Sequence, residues 1–269
     1  RIHCWHGHSC RGVRGKMQNT PRACRSALQL TGKAVLRALY PPHCVTCDTP
    51  VDEDGMLCPA CWRDMPFIDG LCCDACGLPL PGTDPGHPVH CDDCLTLARP
   101  WDQGRAALLY GDTARKLLLG LKYYDRLDHI PTAARWMSRA ASPILRRDML
   151  VVPIPLHWSR FLKRRYNQAA ELSRALAKLN GLEHCPDLLR RTRATGTQDG
   201  RGRMGRFTNM QDAFAPQHKR AARITDRQIL LVDDVMTAGA TFAAAAECCL
   251  AQGAASVRVV ALTRVARAE

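Results

Sequence analysis

The sequence predicts an α/β protein in which a mostly parallel sheet flanked by helices follows a small cysteine-rich module. Two observations predict this fold class. From about residue 101, short apolar runs alternate with helical patterns, and strand–helix–strand order is typical of a parallel sheet covered on both faces. Before that point, nine of the 15 cysteines fall between Cys44 and Cys94. The chain of 269 residues is long enough for both parts.

Charge changes along the chain in step with the cysteines. Residues 1–40 contain eight Lys/Arg and no acid, and residues 41–100 contain two Lys/Arg and ten Asp/Glu. Residues 101–269 contain 28 Lys/Arg and 15 Asp/Glu, and the whole chain has a formal net charge of +13. We therefore predict a basic tail with an amphipathic helix over 1–40, a zinc-ribbon module over 41–100 and an α/β domain over 101–269.

Composition excludes several classes of protein. Apolar residues make up 46% and charged residues 23% of the chain, as in a folded protein rather than a mainly disordered one. The sequence has no uncharged apolar run long enough to predict a membrane span. The first residues lack the apolar segment of a secretory signal, so we expect a cytoplasmic protein.

The basic tail predicts one helix. Residues 1–16 lack apolar periodicity, and Met17 is a candidate start of the native chain. Leucines and valine over 24–40 are spaced as a helix requires, and Pro41-Pro42 ends this helix. We interpret the helix as a basic amphipathic segment that docks on the next module.

The body alternates strands and helices. Gly181 stands where a glycine commonly closes a helix, and Gly253 does so for a second helix. Apolar runs predict the strands between the helices. The predicted order is strand 105–111, helix 113–124, strand 149–155, helix 167–181, strand 227–234, helix 240–253 and strand 256–263.

Four pairs of cysteines, each pair separated by two residues, occupy the module. A two-residue gap lets both thiolates converge on one metal ion, and two such pairs form a tetrahedral Cys4 zinc site. Spacers of ten, eleven and 14 residues between the pairs suit the short hairpins of zinc ribbons. We predict one or two structural zinc ions bound by sequential cysteine pairs, with an interleaved pairing as the alternative that the sequence leaves open. The predicted ligands are Cys44, Cys47, Cys58, Cys61, Cys73, Cys76, Cys91 and Cys94.

Other uses of these cysteines fit the sequence less well. A reducing cytoplasm disfavours disulfides, and a thioredoxin-like motif needs one pair beside a strand rather than four in a row. Closed Cys4 sites have no open catalytic position. Each such site carries a formal charge of −2, so two zinc ions would take the module from −8 to about −12. A surface of that charge repels phosphate, so we do not expect the ribbons to bind nucleic acid.

The segment 229–241 carries the sharpest functional signal. An apolar strand ends in Asp233 and Asp234, a short Thr/Gly/Ala turn follows, and a helix begins. Acids at the carboxyl end of a strand lie at the crevice where open α/β sheets bind ligands. The turn offers backbone N–H groups and a helix N-terminus to a phosphate. The segment therefore presents acceptors for a diol and a cradle for a monophosphate, which together match a ribose 5-phosphate.

Three other interpretations of this segment are weaker. A response-regulator receiver also has a strand ending in paired acids, but it needs most of a domain afterwards and only 36 residues follow Asp233. A Walker-type NTPase needs the motif G-x-x-x-x-G-K-[ST], which the sequence lacks. A capped helix after a core strand accounts for Thr237 and Gly239, but adjacent acids at such a crevice need a further reason.

The whole chain resembles the ComF family (ComFC and GntX-like proteins), in which a cysteine-rich zinc module precedes a type I phosphoribosyltransferase domain. The segment 233–241 is similar to the loop with which such domains bind phosphoribosyl pyrophosphate (PRPP). The resemblance covers about residues 44–265. It includes, in order, Leu121-Lys122-Tyr123, the segment Val152 to His157, Arg164, Asn167-Gln168-Ala169, Arg191, Thr195, Gln198, Arg206, Asn209 and Ala213-Phe214.

The resemblance implies a phosphoribosyltransferase-like sheet and a PRPP site that uses Mg²⁺. The two acids would hold the ribose hydroxyls, residues 237–241 would surround the 5-phosphate, and the turn from Pro155 to His157 would occupy the pyrophosphate-loop position. The Gly- and Arg-rich stretch 190–210 would be a mobile loop over the substrate. The candidate ligand-binding residues are Asp233, Asp234, Val235, Met236, Thr237, Ala238, Gly239, Ala240, Thr241, Pro155 and His157.

If the chain is an enzyme, the resemblance implies that it breaks the bond from C1 of PRPP to pyrophosphate and joins C1 to a nitrogen. Cations would stabilise the departing pyrophosphate. The candidate catalytic residues are Asp233, Asp234, Arg191, Arg193 and Arg206. Three positions depart from the family pattern: Ala238 replaces a threonine, Arg165 a glycine and Arg201 an apolar residue. These departures bear on turnover rather than on PRPP binding.

The resemblance also implies a role in natural competence, with single-stranded DNA and DNA-uptake proteins as partners. A second hypothesis is therefore a non-catalytic adaptor for incoming single-stranded DNA, with a sensory or vestigial PRPP pocket. The basic body suits phosphate backbones. Single-strand binders also use stacked aromatic side chains. One patch interleaves aromatic and basic residues, namely Trp158, Arg160, Phe161, Lys163, Arg164, Arg165 and Tyr166.

Overall fold

The computed structural model describes residues 40–124, 126–156, 166–192 and 213–266. The predicted tail helix therefore lies outside the described residues, apart from Tyr40. The chain from Pro42 onward forms one compact unit that contains both the cysteine module and the α/β body. A boundary between them at residue 100 stays a proposal.

The cysteine module consists of two similar knuckles, the first with Cys44, Cys47, Cys58 and Cys61 and the second with Cys73, Cys76, Cys91 and Cys94. The last cysteine of each knuckle lies in a short helix. Helix α1 (Pro59–Asp64) begins after Cys58, and helix α2 (Asp92–Thr96) begins after Cys91. The residue after the first cysteine pair of each knuckle has a left-handed backbone: Asp48 has a φ of 57° and Gly77 a φ of 68°. Glycine adopts this conformation without steric cost, which accounts for a glycine at the knuckle turn.

Five parallel strands form the central sheet: β1 (Gln103–Leu109), β2 (Leu150–Pro153), β3 (Glu183–His184), β6 (Gln228–Met236) and β7 (Ser256–Arg264). Their spatial order is β1-β7-β6-β2-β3. A separate antiparallel pair consists of β4 (Leu189–Arg191) and β5 (Phe214–Pro216). Strand β6 lies at the centre of the sheet, and its run Ile229 to Val232 is fully buried. The predicted mostly parallel sheet is confirmed.

The helices of the body are α3 (Asp112–Tyr123), α4 (Ile130–Ala141), α5 (Gln168–Asn180) and α6 (Ala240–Ala251). Helix α5 has the predicted ends: the side chain of Asn167 accepts the N–H of Ala169 at 3.1 Å, and Gly181 has a φ of 63°. Helix α4 is an element that the sequence analysis did not predict. Among the described residues, the structure has no helix that meets the length and apolarity needed to span a membrane.

Successive residues of the strands enter two different cores because side chains alternate across a sheet. Ile229 and Leu231 pack in one core with α6 and with the cysteines of the second knuckle. Leu230 and Val232 pack in the other core with α3, α4, α5 and the cysteines of the first knuckle. The helices therefore cover both faces of the sheet, as predicted, and the two knuckles belong to opposite faces.

The cysteine module also covers the outer edge of β1. The N–H of Ile68 donates to the carbonyl oxygen of Ala107 at 3.0 Å, and the N–H of Leu109 donates to that of Pro66 at 2.8 Å. Further along the strand, the N–H of Gly104 donates to the carbonyl oxygen of Asp74 at 2.7 Å. An open edge strand exposes unpaired backbone groups that can pair with another chain. The cysteine module forms hydrogen bonds with backbone groups of β1 at this edge.

Candidate functional site

The eight predicted zinc ligands form two tetrads in sequential order. Within each tetrad the Sγ atoms all lie within 4.8 Å of one another. The Sγ atoms of Cys47 and Cys58 are 3.6 Å apart, and those of Cys76 and Cys91 are 3.7 Å apart. A tetrahedral site with Zn–S bonds of about 2.3 Å requires sulfur–sulfur distances of about 3.8 Å. Thiolate ligands with this spacing fit zinc. The tetrads are Cys44/Cys47/Cys58/Cys61 and Cys73/Cys76/Cys91/Cys94.

The two adjacent acids lie within the last residues of β6 rather than after it. Strand β6 continues to Met236 because Val235 and Met236 still pair with β7. The predicted end of the strand at 234 is therefore two residues too early. Asp233 and Asp234 are both half-buried near this end of the strand. That both carboxylates face one crevice stays a prediction.

Asp234 is held by a lysine from a different element. The Nζ of Lys122, in the last turn of α3, lies 2.9 Å from the Oδ2 of Asp234. The side chains are only 20% and 13% exposed, respectively, so water screens this pair less than it screens a surface pair. Lys122 lies in the segment Leu121-Lys122-Tyr123 of the family resemblance, for which no role was predicted. Its partner is 112 residues away in the sequence, and local patterns carry no signal of such a contact.

Asp233 ionises less readily than an ordinary aspartate. Burial and the neighbouring carboxylate of Asp234 raise the pKa of Asp233 to about 8. The backbone N–H of Asp234, which donates to the Oδ1 of Asp233 at 2.8 Å, acts in the opposite direction, as do the charges of Lys122 and Arg191. A buried carboxyl group with a strongly raised pKa is a typical feature of a functional site.

The turn after β6 places a left-handed glycine directly before a helix N-terminus. Gly239 has a φ of 82° and immediately precedes helix α6. A Cβ atom at Gly239 would lie 3.1 Å from the ring of Trp101 and 3.2 Å from Nη1 of Arg99, so both backbone and space require glycine. Thr237, Ala238 and Thr241 are half-buried. The first N–H groups of α6 have no acceptor within the helix and suit an anion.

The other predicted site residues fall in two groups. Arg191 lies at the end of β4 with its guanidinium 5.5 Å from the ring centre of Phe214, and Pro155 is half-buried just after β2. The remaining residues, which include all of the aromatic and basic patch except Tyr166, lie outside the described residues, as does most of the predicted mobile loop. The undescribed site candidates are His157, Arg193 and Arg206.

Two further arginines, Arg99 and Arg264, contact the turn and were missed by the sequence analysis. Arg99 donates to the carbonyl oxygen of Ala238 and Arg264 to that of Thr237. Neither arginine belongs to a recognisable motif. Their contacts with the turn depend on tertiary packing, which places the second knuckle and the end of β7 beside it.

Comparisons with known proteins match both parts of the chain. A family model described as a double zinc ribbon domain matches residues 35–95. The DNA utilization protein YhgH of Salmonella typhi is 29% identical over 83% of this chain and 97% of its own length. Competence protein F of Haemophilus influenzae is 27% identical over 74% and 86%, and competence protein ComFC of Bacillus subtilis is 27% identical over 82% and 94%.

Solved structures show weaker likenesses. An allosteric regulatory enzyme of purine biosynthesis gives a TM-score of 0.36 at 14% identity, over 53% of this chain and 29% of that one. A hypoxanthine phosphoribosyltransferase of Trypanosoma cruzi gives a TM-score of 0.32 at 16% identity, over 51% of this chain and 65% of that one.

The protein combines a double zinc ribbon with a parallel α/β domain. The central strand of that domain contains two adjacent acids just before its end, and a glycine-containing turn follows it. Relatives with these names align with most of the chain, across both parts. The likeness to these DNA utilization and competence proteins agrees with the resemblance of the sequence to the ComF family. The predicted double zinc ribbon is confirmed.

Proposed function

We propose that the crevice at the carboxyl end of β6 binds PRPP together with Mg²⁺, in a protein that acts in DNA uptake or utilization. The observation that carries the PRPP part is the continuity of one segment. Asp233 and Asp234 lie two residues before the end of the central strand, the turn with Gly239 follows, and α6 begins directly afterwards. Carboxylates that can accept hydrogen bonds from ribose hydroxyls are thus only a few residues from backbone N–H groups that can bind a phosphate.

The electrostatics of the crevice support an anionic ligand that brings its own cation. The raised pKa of Asp233 reflects a carboxyl group that lacks sufficient positive charge nearby. Hydrogen bonds from ribose hydroxyls would stabilise its ionised form, and Mg²⁺, when bound with PRPP, would neutralise pyrophosphate charge. Lys122, which is 2.9 Å from Asp234, is a fixed cation at the same place. Arg191 is the described candidate to contact departing pyrophosphate.

Calorimetry with Mg-PRPP tests this proposal on the full, zinc-loaded chain. We expect micromolar binding by the wild-type protein and a loss of at least about ten-fold in the Asp233→Asn/Asp234→Asn variant, because hydrogen bonds to charged groups are lost. The matched control is Asp52→Asn/Asp54→Asn, which removes two carboxylates from exposed positions in the cysteine module. Absence of binding by folded, zinc-replete wild-type protein would exclude a working PRPP site.

The DNA part of the proposal is supported by the names of the relatives, which are DNA utilization and competence proteins. One structural observation favours contact with single-stranded DNA. Tyr123 and Tyr124, beside Lys122 at the end of α3, are 60% and 72% exposed. Aromatic side chains next to cations form the stacking platforms on which single-stranded nucleic acids bind. This also supports the non-catalytic adaptor as a second candidate function.

Fluorescence anisotropy with a labelled oligonucleotide tests DNA binding. We expect affinity to fall steeply with salt, because bound cations are released from the phosphates. Tyr123→Ala/Tyr124→Ala should weaken binding by about 1–3 kcal/mol for each stacked base. Tyr110→Ala, at a tyrosine that is 40% exposed, is the control. Equal losses in both variants would remove the stacking role of Tyr123 and Tyr124.

A further inference from the structure

Arg99 connects the second cysteine tetrad to the candidate phosphate turn. Its Nε donates to the Sγ of Cys94 at 3.4 Å, and its Nη1 donates to the carbonyl oxygen of Ala238 at 2.7 Å. Its guanidinium carbon also lies 5.5 Å from the ring centre of Trp101. The indole N–H of Trp101 donates to the carbonyl oxygen of Ala75 at 2.6 Å, inside the second knuckle. The position of this arginine is therefore fixed from several sides.

Arg264 makes the same connection from the end of β7. Its Nη2 lies 3.7 Å from the Sγ of Cys76, and its Nη1 donates to the carbonyl oxygen of Thr237 at 2.6 Å. The residue is only 3% exposed. A buried guanidinium is costly unless an anionic group faces it, and a Cys4 zinc centre with a formal charge of −2 is such a group. The arginine thus depends on the charge of the tetrad.

These two contacts set the direction of the N–H groups in the turn. In a planar trans peptide the C=O and the next N–H point in opposite directions. The carbonyl of Thr237 faces Arg264 and that of Ala238 faces Arg99, so the N–H groups of Ala238 and Gly239 face away from the knuckle. Backbone donors that are fixed in this way can meet a phosphate without first paying the cost of ordering the turn.

The first tetrad has no corresponding connection among the described residues. Its Cys44 and Cys58 pack in the core on the other face of the sheet, with α3 and α4. The cysteines of the second tetrad share a core with Ala240 and Phe242 of α6, directly after the turn. The two metal centres are therefore not equivalent with respect to the candidate ligand site.

We propose that Arg99 and Arg264 are positioning residues through which the second metal centre orders the phosphate turn, so that loss of its zinc lowers affinity for the phosphate group. The proposal rests on the proposed PRPP site for its ligand. The order of the turn itself can be measured without any ligand, which separates the two proposals. The first metal centre, by contrast, stabilises the fold without this effect.

The first test compares Arg99→Gln with Arg105→Gln in the full, zinc-loaded chain. Arg105 is the matched control because it also contacts the second knuckle, through the carboxylate of Asp74 at 2.7 Å, but not the turn. Amide hydrogen exchange over 237–241 should become about ten-fold faster in Arg99→Gln, from the loss of a charge-assisted hydrogen bond. Zinc content and exchange in β6 should be unchanged, and Arg105→Gln should behave as wild type over 237–241.

The second test compares Cys91→Ser with Cys58→Ser. Each serine replaces the cysteine that precedes a short helix in its tetrad, and neither cysteine is the sulfur atom that an arginine of the turn contacts. Each variant should lose one zinc ion, and only Cys91→Ser should show faster exchange over 237–241.

The outcomes distinguish the two proposals. Unchanged exchange over 237–241 in both Arg99→Gln and Cys91→Ser overturns the positioning role, even if wild-type protein binds Mg-PRPP. Faster exchange in both variants supports the positioning role even if Mg-PRPP does not bind, in which case the proposed function fails alone. If the wild type does bind, Arg99→Gln and Cys91→Ser should also lower the affinity for Mg-PRPP, while Arg105→Gln and Cys58→Ser should retain it. Retained affinity in Arg99→Gln would count against the coupling.

Discussion

Asp233 combines a central position in the sheet with a charge that the surrounding residues do not fully stabilise. Its pKa is raised to about 8 by burial and by the carboxylate of Asp234. A carboxyl group with a raised native pKa holds its proton more tightly in the folded state than in the unfolded state. The free energy of unfolding therefore falls as the pH rises from the usual aspartate range near 4 towards about 8. Above about pH 8 the carboxylate is ionised in both states, and its full destabilising effect remains.

Asp233→Asn should consequently stabilise the ligand-free protein, because asparagine has no charge to desolvate. We expect the melting temperature to rise, and the rise should be larger at pH 8.5 than at about pH 6 by the linkage of proton binding to folding. Differential scanning fluorimetry on zinc-loaded protein measures both values. Asp52→Asn, at an exposed position, should leave the melting temperature nearly unchanged at either pH. A fall in melting temperature at pH 8.5 in Asp233→Asn would contradict this account.

At the scale of elements, strand β1 and the second knuckle approach each other as closely as backbones allow. The N–H of Gly104 donates to the carbonyl oxygen of Asp74 at 2.7 Å. A Cβ atom at Gly104 would overlap the carbonyl oxygen of Ala75 and would lie 2.9 Å from a methyl group of Val259. Since backbone and a packed core residue both surround the position, the strand can accept only glycine there.

Gly104→Ala should therefore push the second knuckle away from β1. We expect a loss of about 1–3 kcal/mol in the free energy of unfolding, the range for overpacking a close contact. Urea denaturation followed by tryptophan fluorescence measures this loss, because Trp101 lies at the same contact. Gln103→Ala, at the neighbouring position of β1, is the control and should cost much less. Equal costs in the two variants would show that the close approach is not maintained in solution.

At the scale of the whole molecule, the two zinc ribbons complete the α/β body rather than forming a separate appendage. Their cysteines contribute to the cores on both faces of the sheet. Residues 66–74 form hydrogen bonds with backbone groups at the outer edge of β1. The metal centres supply the stability that a short segment with few branched apolar residues cannot obtain from its own core. Loss of zinc should thus affect the body as well as the module.

We expect two zinc ions per chain, measured by inductively coupled plasma mass spectrometry. Removal of both with a strong chelator should expose the edge of β1 and cause self-association, because an uncovered edge strand pairs with other chains. Size-exclusion chromatography with light scattering measures this change. Chelator that is already saturated with zinc is the control. A chelated chain that stays monomeric, with protease resistance equal to that of the zinc-loaded chain, would contradict the structural role of the metal.

Local patterns predicted most of the strands and helices and the cysteine ligands of both tetrads. A continuous apolar run located β6, and helical patterns closed by Gly181 and Gly253 located α5 and α6, because these are local signals along the chain. The cysteine spacing similarly indicated zinc, since a knuckle is built from neighbouring residues. Helix α4 was not predicted, although it is amphipathic and well buried.

How these parts meet depends on long-range contacts in the folded chain. Pairing with β7 extends β6 beyond the two acids to Met236. Folding brings Lys122 to Asp234, and it brings Arg99 and Arg264 between the second tetrad and the turn. The contact of Lys122 with Asp234 and that of Arg99 with Ala238 each join residues more than 100 positions apart in the sequence. Their energy comes from burial and from charges that face each other in the folded chain, and no local pattern of residues encodes either property.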